Sequence, residues 1–398
     1  MKPGSWPAIL GVYVFGIAAG ATVPKLVPLS GDFMREFAMS PATFGWLFSV
    51  IAIPAALLAI PSGVVVDRLG ARRVLIGGAL VAAAANLLYL VATSLPMLAL
   101  ARIIEGAAIV HIYTAGPALL MGTTEGKRRT AAMSVWSTYM PVGTSLAFAF
   151  AGAFADGPAW RTLFAGHGIL FVVAAAIGLA LPKPVLGAGP PARTLLSQIV
   201  ELKQAYARPT LLLLGVAFFL MICIGLGANT AFPIYFSHVL GLSMGQSSSM
   251  VAAATLVMVP GSLLAGFVLS RGVKPTGFFA LIAVIGLVVG SLCFLPILSL
   301  PARYAALAGW YLMSGASVAT LMATLPLVAE PARRGAAAAL FNQAAALATF
   351  VSPPIWLGYA AGTAWTPFSV LLALGWGLGA LAVLLSVRLA MRPARALA

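Results

Sequence analysis

Residues 63–73 read Gly63-Val-Val-Val-Asp67-Arg68-Leu-Gly70-Ala-Arg72-Arg73, a charged stretch between two long apolar runs. The charges of Asp67, Arg68, Arg72 and Arg73 cannot lie in hydrocarbon, whereas the flanking runs are long enough to cross it. The stretch is therefore a hairpin at a membrane surface, and its excess of arginine marks that surface as cytoplasmic. Gly63 lacks a side chain where two helices are expected to approach closely.

Composition agrees with this reading. Of 398 residues 62% are hydrophobic and 8% charged, against about 25% charged in soluble domains, so the chain is a polytopic membrane protein. A formal charge of +15 would suggest nucleic acid in a soluble protein. Here the basic residues lie in short links between apolar runs, where they face cytoplasm and anionic lipid, and no nucleic-acid partner is expected. The two cysteines, Cys223 and Cys293, both fall inside apolar runs and are expected as free thiols. The first apolar run, from Ala8, is too long for the core of a signal peptide.

At about 20 apolar residues per crossing, helices are expected near 8–29, 41–66, 74–94, 96–121, 131–155 and 162–181, then 210–236, 246–270, 275–296, 304–329, 335–359 and 367–387. The fold class is all-α, with twelve spans in two six-helix bundles, residues 1–181 and 210–398. Residues 182–209 form a cytoplasmic link whose second part, from Leu195 to Tyr206, has the spacing of a short interfacial helix. With both termini cytoplasmic, only Arg35, Arg161 and Arg303 fall outside and only Lys25 and Arg102 fall within spans, which leaves 18 of the 23 Lys and Arg in the inner links. Such a bias fixes the orientation.

The halves repeat. GATVPKL from Gly20 matches NTAFPIY from Asn229, Gly63-x-x-x-Asp67-Arg68 is echoed by Gly266-x-x-x-Ser270-Arg271, and Arg128-Arg129 is echoed by Arg333-Arg334. The near-constant offset describes a parallel repeat of two six-helix units, the construction of alternating-access carriers that hold a solute between halves near the midplane.

With these residues in view, the hairpin resembles the signature between the second and third helices of the major facilitator superfamily, at Gly63, Asp67, Arg68, Gly70, Arg72 and Arg73. The resemblance implies a secondary transporter in which those six residues gate the cytoplasmic side, and in which the first, fourth, seventh and tenth helices line the central path. Arg102, in the run LALARIIEGA, resembles an arginine that recurs on the fourth helix of proton-coupled members. Met140-Pro141-Val142-Gly143 partly echoes the Gly-Pro motif of antiporters, without the glycine before the proline. In the second half Ser270 stands where the acid would be, which weakens any symmetric lock.

Ionisable residues inside spans are costly and mark candidate sites. Lys25 either snorkels to the outer headgroups or contacts the substrate. Arg102 and Glu105, three residues apart on one helix, are either a fixed structural pair or a switch in which protonating the acid frees the cation. They share a helix face with Gly106, Ile109, Tyr113 and Gly116. The three histidines, His111, His167 and His238, read as packing or surface residues. Pro24 and Pro233 each free a backbone carbonyl, so their helices are expected to bend around the solute. Tyr113, Trp136, Tyr139, Asn229, Tyr235, Asn342 and Gln343 could add aromatic and amide contacts to a substrate site that includes Lys25 and Arg102.

Other classes fare worse. GTTEGKR, Gly122 to Arg128, lacks the spacing of a phosphate-binding loop. No nucleophile–base or metal constellation supports an enzyme. The expectation is a monomeric inner-membrane carrier with no cofactor and no metal, driven by a proton gradient. Its partners are a small solute, protons and lipid, and two intramembrane cations against one acid favour an anionic or acceptor-rich solute. The alternatives are an antiporter exporting a siderophore-like metabolite or a drug, and a transport-dead sensor.

Overall fold

The computed structural model describes residues 1–157, 159–183, 195–329, 334–360, 362 and 364–391. Helix α1 (Trp6–Thr22) ends in a single 3-10 turn (Pro24–Leu26) followed by the short α2 (Ser30–Glu36). Then come α3 (Pro41–Ser49), α4 (Ala52–Leu69), α5 (Ala71–Leu90), α6 (Leu95–Thr123), α7 (Gly126–Ser137), α8 (Tyr139–Gly152) and α9 (Trp160–Ala180). After α10 (Leu195–Tyr206), the second half runs α11 (Pro209–Leu240), α12 (Met244–Thr255), α13 (Met258–Ser270), α14 (Pro275–Phe294), α15 (Leu300–Val328), α16 (Arg334–Ala360) and α17 (Thr366–Ala390).

Among the described residues, nine helices are long and apolar enough to cross a membrane, counting α3 with the start of α4 and α12 with α13 as single runs. The segments 6–22, 126–152 and 334–360 are helical as well, the first shorter and the second interrupted at Thr138. Where the sequence suggested continuous spans, the corresponding breaks at residues 50–51 and 256–257 divide the second span of each half, so the repeat extends to the interruptions.

Local signals account for the helix edges. Ser40 accepts a hydrogen bond from the Thr43 amide with Pro41 at the first helical position, and Ser243 with Gln246 forms a reciprocal capping box at α12. The charged hairpin turns through Gly70 at φ +85, a conformation that disfavours any residue with a β-carbon. Gly272 repeats the turn at φ +84 in the second half. Arg72 ties this end together by donating to the carbonyls of Gly178 (2.9 Å) and Leu179 at the close of α9, where the helix dipole favours a cation.

The two prolines act differently: Pro24 interrupts its helix, whereas Pro233 sits inside an α11 that continues to Leu240. Among the described residues nothing lies within 4 Å of a β-carbon built on Gly63, so none of them makes the close approach expected there.

Within each half the helices lock through tryptophan rings seated on glycines. A β-carbon on Gly116 would lie 2.2 Å from Trp136, on Gly227 2.2 Å from Trp356, on Gly286 2.5 Å from Trp376 and on Gly290 2.7 Å from Trp310. The halves meet differently, through close glycine contacts and the packed rings of Trp46 and Phe350, at the end opposite the charged hairpin. There Gly45 faces Pro354, Gly152 faces Gly245, and the Asp156 carboxylate accepts from the Met244 amide at 3.1 Å. One apolar core lies wholly within residues 8–181, while the other runs across the seam at that end.

Candidate functional site

The break after α1 builds the site. A helix leaves the carbonyls of its last turn without intrahelical donors, and here side chains from other helices supply them. His167 Nε2 on α9 reaches Ala18 O at 2.9 Å, the Tyr113 hydroxyl donates to Ala19 O at 2.9 Å, and Arg102 Nη1 donates to Thr22 O at 3.0 Å. Arg102 Nη2 donates to Phe48 O at 3.1 Å, just before the second break. One guanidinium thus bridges two interrupted helices.

The 3-10 turn then aims Lys25 inward. Its Nζ lies 2.5 Å from Glu105 Oε1, 2.7 Å from Asn86 Oδ1 and 2.9 Å from His167 Nδ1. A lysine ammonium only donates, so His167 Nδ1 accepts and its proton sits on Nε2, facing Ala18 O. Glu105 receives four donors: Lys25 and Asn86 (3.0 Å) at Oε1, Tyr89 (3.0 Å) and Arg102 (3.3 Å) at Oε2. Lys25 is 2% exposed and Arg102 and Glu105 are wholly buried, so the lysine does not snorkel. The arginine contact is the longest of the four. With all three groups ionised the cluster carries one excess positive charge, closed off from water and lined by the Phe164 and Tyr89 rings under the ammonium.

Beside this cluster, between the halves, lies a cavity of about 250 Å³. From the first half it is walled by the Val23-Pro24 turn, Phe48 of α3 and Met140, Pro141, Thr144 and Phe148 of α8; from the second by α11, α13, α15, α16 and α17. No charged side chain lines it among the described residues. Polar side chains of the lining are Thr144 on α8, Asn229 and Thr230 on α11, Ser314 and Ser317 on α15 and Thr349 on α16. Asn229 Oδ1 and Trp376 Nε1 are buried without a hydrogen-bond partner among the described residues, and the Tyr311 hydroxyl is hydrogen-bonded to Thr255. The cavity and the charged cluster share a wall: Phe48 faces the cavity while Arg102 lies 5.5 Å from its ring centroid, and Pro24 precedes Lys25.

Of the residues singled out in the sequence for substrate contact, Asn229 lines this cavity. Lys25 and Arg102 stand behind its wall. Tyr113, Trp136 and Tyr139 stack on one another against Gly16, Gly20 and Gly116 inside the first half. The Tyr235 hydroxyl donates to Phe294 O among packed rings. Asn342 is exposed, and Gln343 accepts from Tyr206 of α10 at 2.7 Å. Of the gating set, Asp67, Arg68 and Arg73 are exposed, Gly70 forms the turn, Arg72 caps α9 and Gly63 meets no close neighbour among the described residues. Asn86, Tyr89 and His167 were not legible as partners. A polar side chain inside an apolar helix was the available signal for each, but nothing in the linear order joins α5, α6 and α9 to the turn after α1.

Arg303, placed outside by the sequence, is buried at the start of α15, where it donates to Cys293 O and Leu295 O at 2.6 Å each and closes the end of α14. Cys223 and Cys293 are free. At the end opposite the hairpin, burial pushes the Asp32 carboxyl up from its ordinary range, against the opposing pull of Arg35 and of the Asp156 amide that donates to it at 3.2 Å.

Comparison with known proteins supports the same architecture. The chain is 28% identical over 253 residues to the 3-(3-hydroxy-phenyl)propionate transporter of Escherichia coli K12, covering 61% of this chain and 59% of that one. It is 23% identical over 239 residues to multidrug resistance protein 2 of Bacillus subtilis 168, covering 59% of each. A galactose-proton symporter of Escherichia coli K12 shows 30% identity over 155 residues, 39% of this chain and 32% of that one. The matches thus span about three-fifths or less of these relatives. The fold superposes on a bacterial homologue of the human lysosomal transporter Spinster in an inward-facing, occupied conformation, with a TM-score of 0.79, 15% identity and 96% of both chains covered. Residues 5–353 match the profile described as Major Facilitator Superfamily. The protein is a multi-pass inner-membrane protein and not an enzyme, and it belongs to the Major Facilitator Superfamily.

Proposed function

We propose that the protein is a proton-coupled secondary transporter of twelve spans, with both termini cytoplasmic, that moves a small organic solute by alternating access. The observation that carries this reading is the shared wall: a sealed cluster of Lys25, Arg102 and Glu105 directly behind the cavity between the halves. A solute pressing on Phe48 or on the Pro24 turn acts on Arg102 or Lys25 with no relay between. If Arg102 is drawn from Glu105, the carboxylate loses a charged donor and becomes able to take a proton on Oε2; its return expels that proton. Such an exchange couples solute to proton in either direction of transport.

The end opposite the charged hairpin is the outer face in this topology, and its closure corresponds to an outward-closed state. Asp67, exposed and without a hydrogen-bonded or ionic partner among the described residues, fits a cytoplasmic lock that is released in that state. Export rests on a specific observation too: Pro141 of the partial antiporter motif lines the cavity, and Gly143 lies where a β-carbon would meet Ile17 O at 2.7 Å.

The two cations that suggested an anionic solute are engaged by Glu105, so the charge they offer a solute in the cavity is indirect. The test is uptake into, and efflux from, proteoliposomes and a deletion strain across a metabolite panel, with an imposed pH gradient. Accumulation that collapses with a protonophore is expected; solute flux indifferent to the pH gradient would overturn the coupling.

A further inference from the structure

The cavity wall is specific in what it leaves unpaired. Thr230, Ser317 and Thr349 give their hydroxyl protons to carbonyls of their own helices at 2.7, 2.8 and 2.8 Å, and so present only lone pairs to the space. Asn229 Oδ1 is an acceptor with no donor and Trp376 Nε1 a donor with no acceptor among the described residues, whereas the Tyr311 hydroxyl is hydrogen-bonded to Thr255. Buried polar atoms left in this condition are costly, and a ligand that satisfies them recovers that cost. Thr144 and Ser314 add two more hydroxyls, and the remaining side chains of the lining are aromatic, aliphatic or thioether, including Phe48, Phe148, Met221 and Met258.

We propose that this cavity binds an uncharged, flat, largely apolar molecule through a hydroxyl that donates to Asn229 and can accept in return, the chemical class of a phenol or aromatic alcohol. The inference rests on the transport reading above and names its solute class. Charge decides against the ionic alternatives. An ion entering would lose its hydration with no counter-charge on the lining. A cation would in addition meet the excess positive charge of the cluster behind Phe48. An anion would be attracted by that charge through the wall, but without a charged or clustered donor to replace its water, the desolvation cost exceeds the long-range gain. Size sets the other bound, since about 250 Å³ falls just below the usual range of about 300–1,000 Å³ for ligand sites and suits one or two fused rings.

The test uses four probes on one skeleton with the purified full-length protein in nanodiscs: 2-naphthol, 2-methoxynaphthalene, 2-naphthoate and 2-naphthylmethylammonium. Binding is followed by tryptophan fluorescence, which Trp376 in the wall should report, with calorimetry as a check. 2-Naphthol is expected to bind at least about tenfold more tightly than each of the others. Asn229→Leu should erase its advantage over the methyl ether while leaving the ether's affinity within about twofold. The proposal is overturned if naphthoate or the ammonium probe binds as tightly as naphthol, if the preference survives Asn229→Leu, or if none of the four binds. Should Asn229→Leu not fold, the ranking on the unsubstituted protein decides. The ranking is an equilibrium measurement without a pH gradient, so failure of proton coupling in vesicles would refute the functional reading and leave this site standing.

Discussion

Replacing Glu105 with glutamine separates the structural from the transporting role of the cluster. In the folded protein one carboxylate answers two buried cations, at 2.5 and 3.3 Å. Removing its charge leaves Lys25 and Arg102 unpaired in a site with no access to water, for which a cost of about 3–5 kcal/mol is expected. That is a large part of a stability margin of about 5–15 kcal/mol. The amide adds to the cost by turning a donor toward Lys25 or Tyr89, whichever oxygen it replaces. Removing Lys25 as well should recover part of the loss, because the remaining guanidinium keeps its bonds to Thr22 O and Phe48 O. Lys25→Met alone should be the mildest of the three, since it leaves an Arg102–Glu105 pair of balanced charge. Equilibrium unfolding in mixed micelles would read all of these as a double-mutant cycle. A Glu105→Gln variant within about 0.5 kcal/mol of the parent protein would show that the cluster is not ionised as drawn. In vesicles the same variant, where folded, should lose pH-driven accumulation yet retain exchange between equal pools, and Arg102→Ala should lose both. Concentrative uptake by Glu105→Gln would move the coupling acid elsewhere.

Asp156 holds a left-handed backbone at φ +61 and caps α12 across the seam; Asp156→Gly removes the carboxylate without backbone cost, and should speed thiol labelling of a cysteine introduced at Ser248, which unchanged labelling would contradict. Arg303→Met should cost about 1–3 kcal/mol in unfolding measurements by stranding two carbonyls, a role that its reading as an outer-side cation did not include; a loss no larger than the roughly 0–1 kcal/mol of a surface ion pair would refute the capping role. Asp67→Asn, with no partner to lose among the described residues, should leave stability within about 0.5 kcal/mol and still impair transport by weakening the opposite state, so turnover at the parental rate would end the gating assignment.

The hairpin and the apolar runs were legible because charge and hydrocarbon exclude each other, and that exclusion acts along the chain. The pairing of Arg102 with Glu105 was legible for a related reason, since three residues on one helix fix a distance. Lys25 stayed ambiguous because a 3-10 turn, rather than a continuing helix, sets its direction. The convergence of Asn86, Tyr89 and His167 on it comes from three-dimensional packing that no periodicity records. Trp136 and Tyr139 had the composition of a binding site, yet their rings fill glycine notches, and aromatic content alone does not separate those roles.

Those notches have a mechanical consequence. A ring seated where a β-carbon would stand blocks the sliding of one helix along its neighbour, because even a one-residue shift brings a side chain into the occupied volume. The tryptophans at Gly116, Gly227, Gly286 and Gly290 therefore act as keys that turn each half into a single block. At the seam the halves meet through glycines, Gly45 on Pro354 and Gly152 on Ser248 and Gly245, with the Trp46 and Phe350 rings packed beside them, and no ring is seated in a glycine notch there. Two keyed blocks on an unkeyed joint confine displacement to the joint itself, and the cavity, the Pro24 turn and Phe48 all lie along that line.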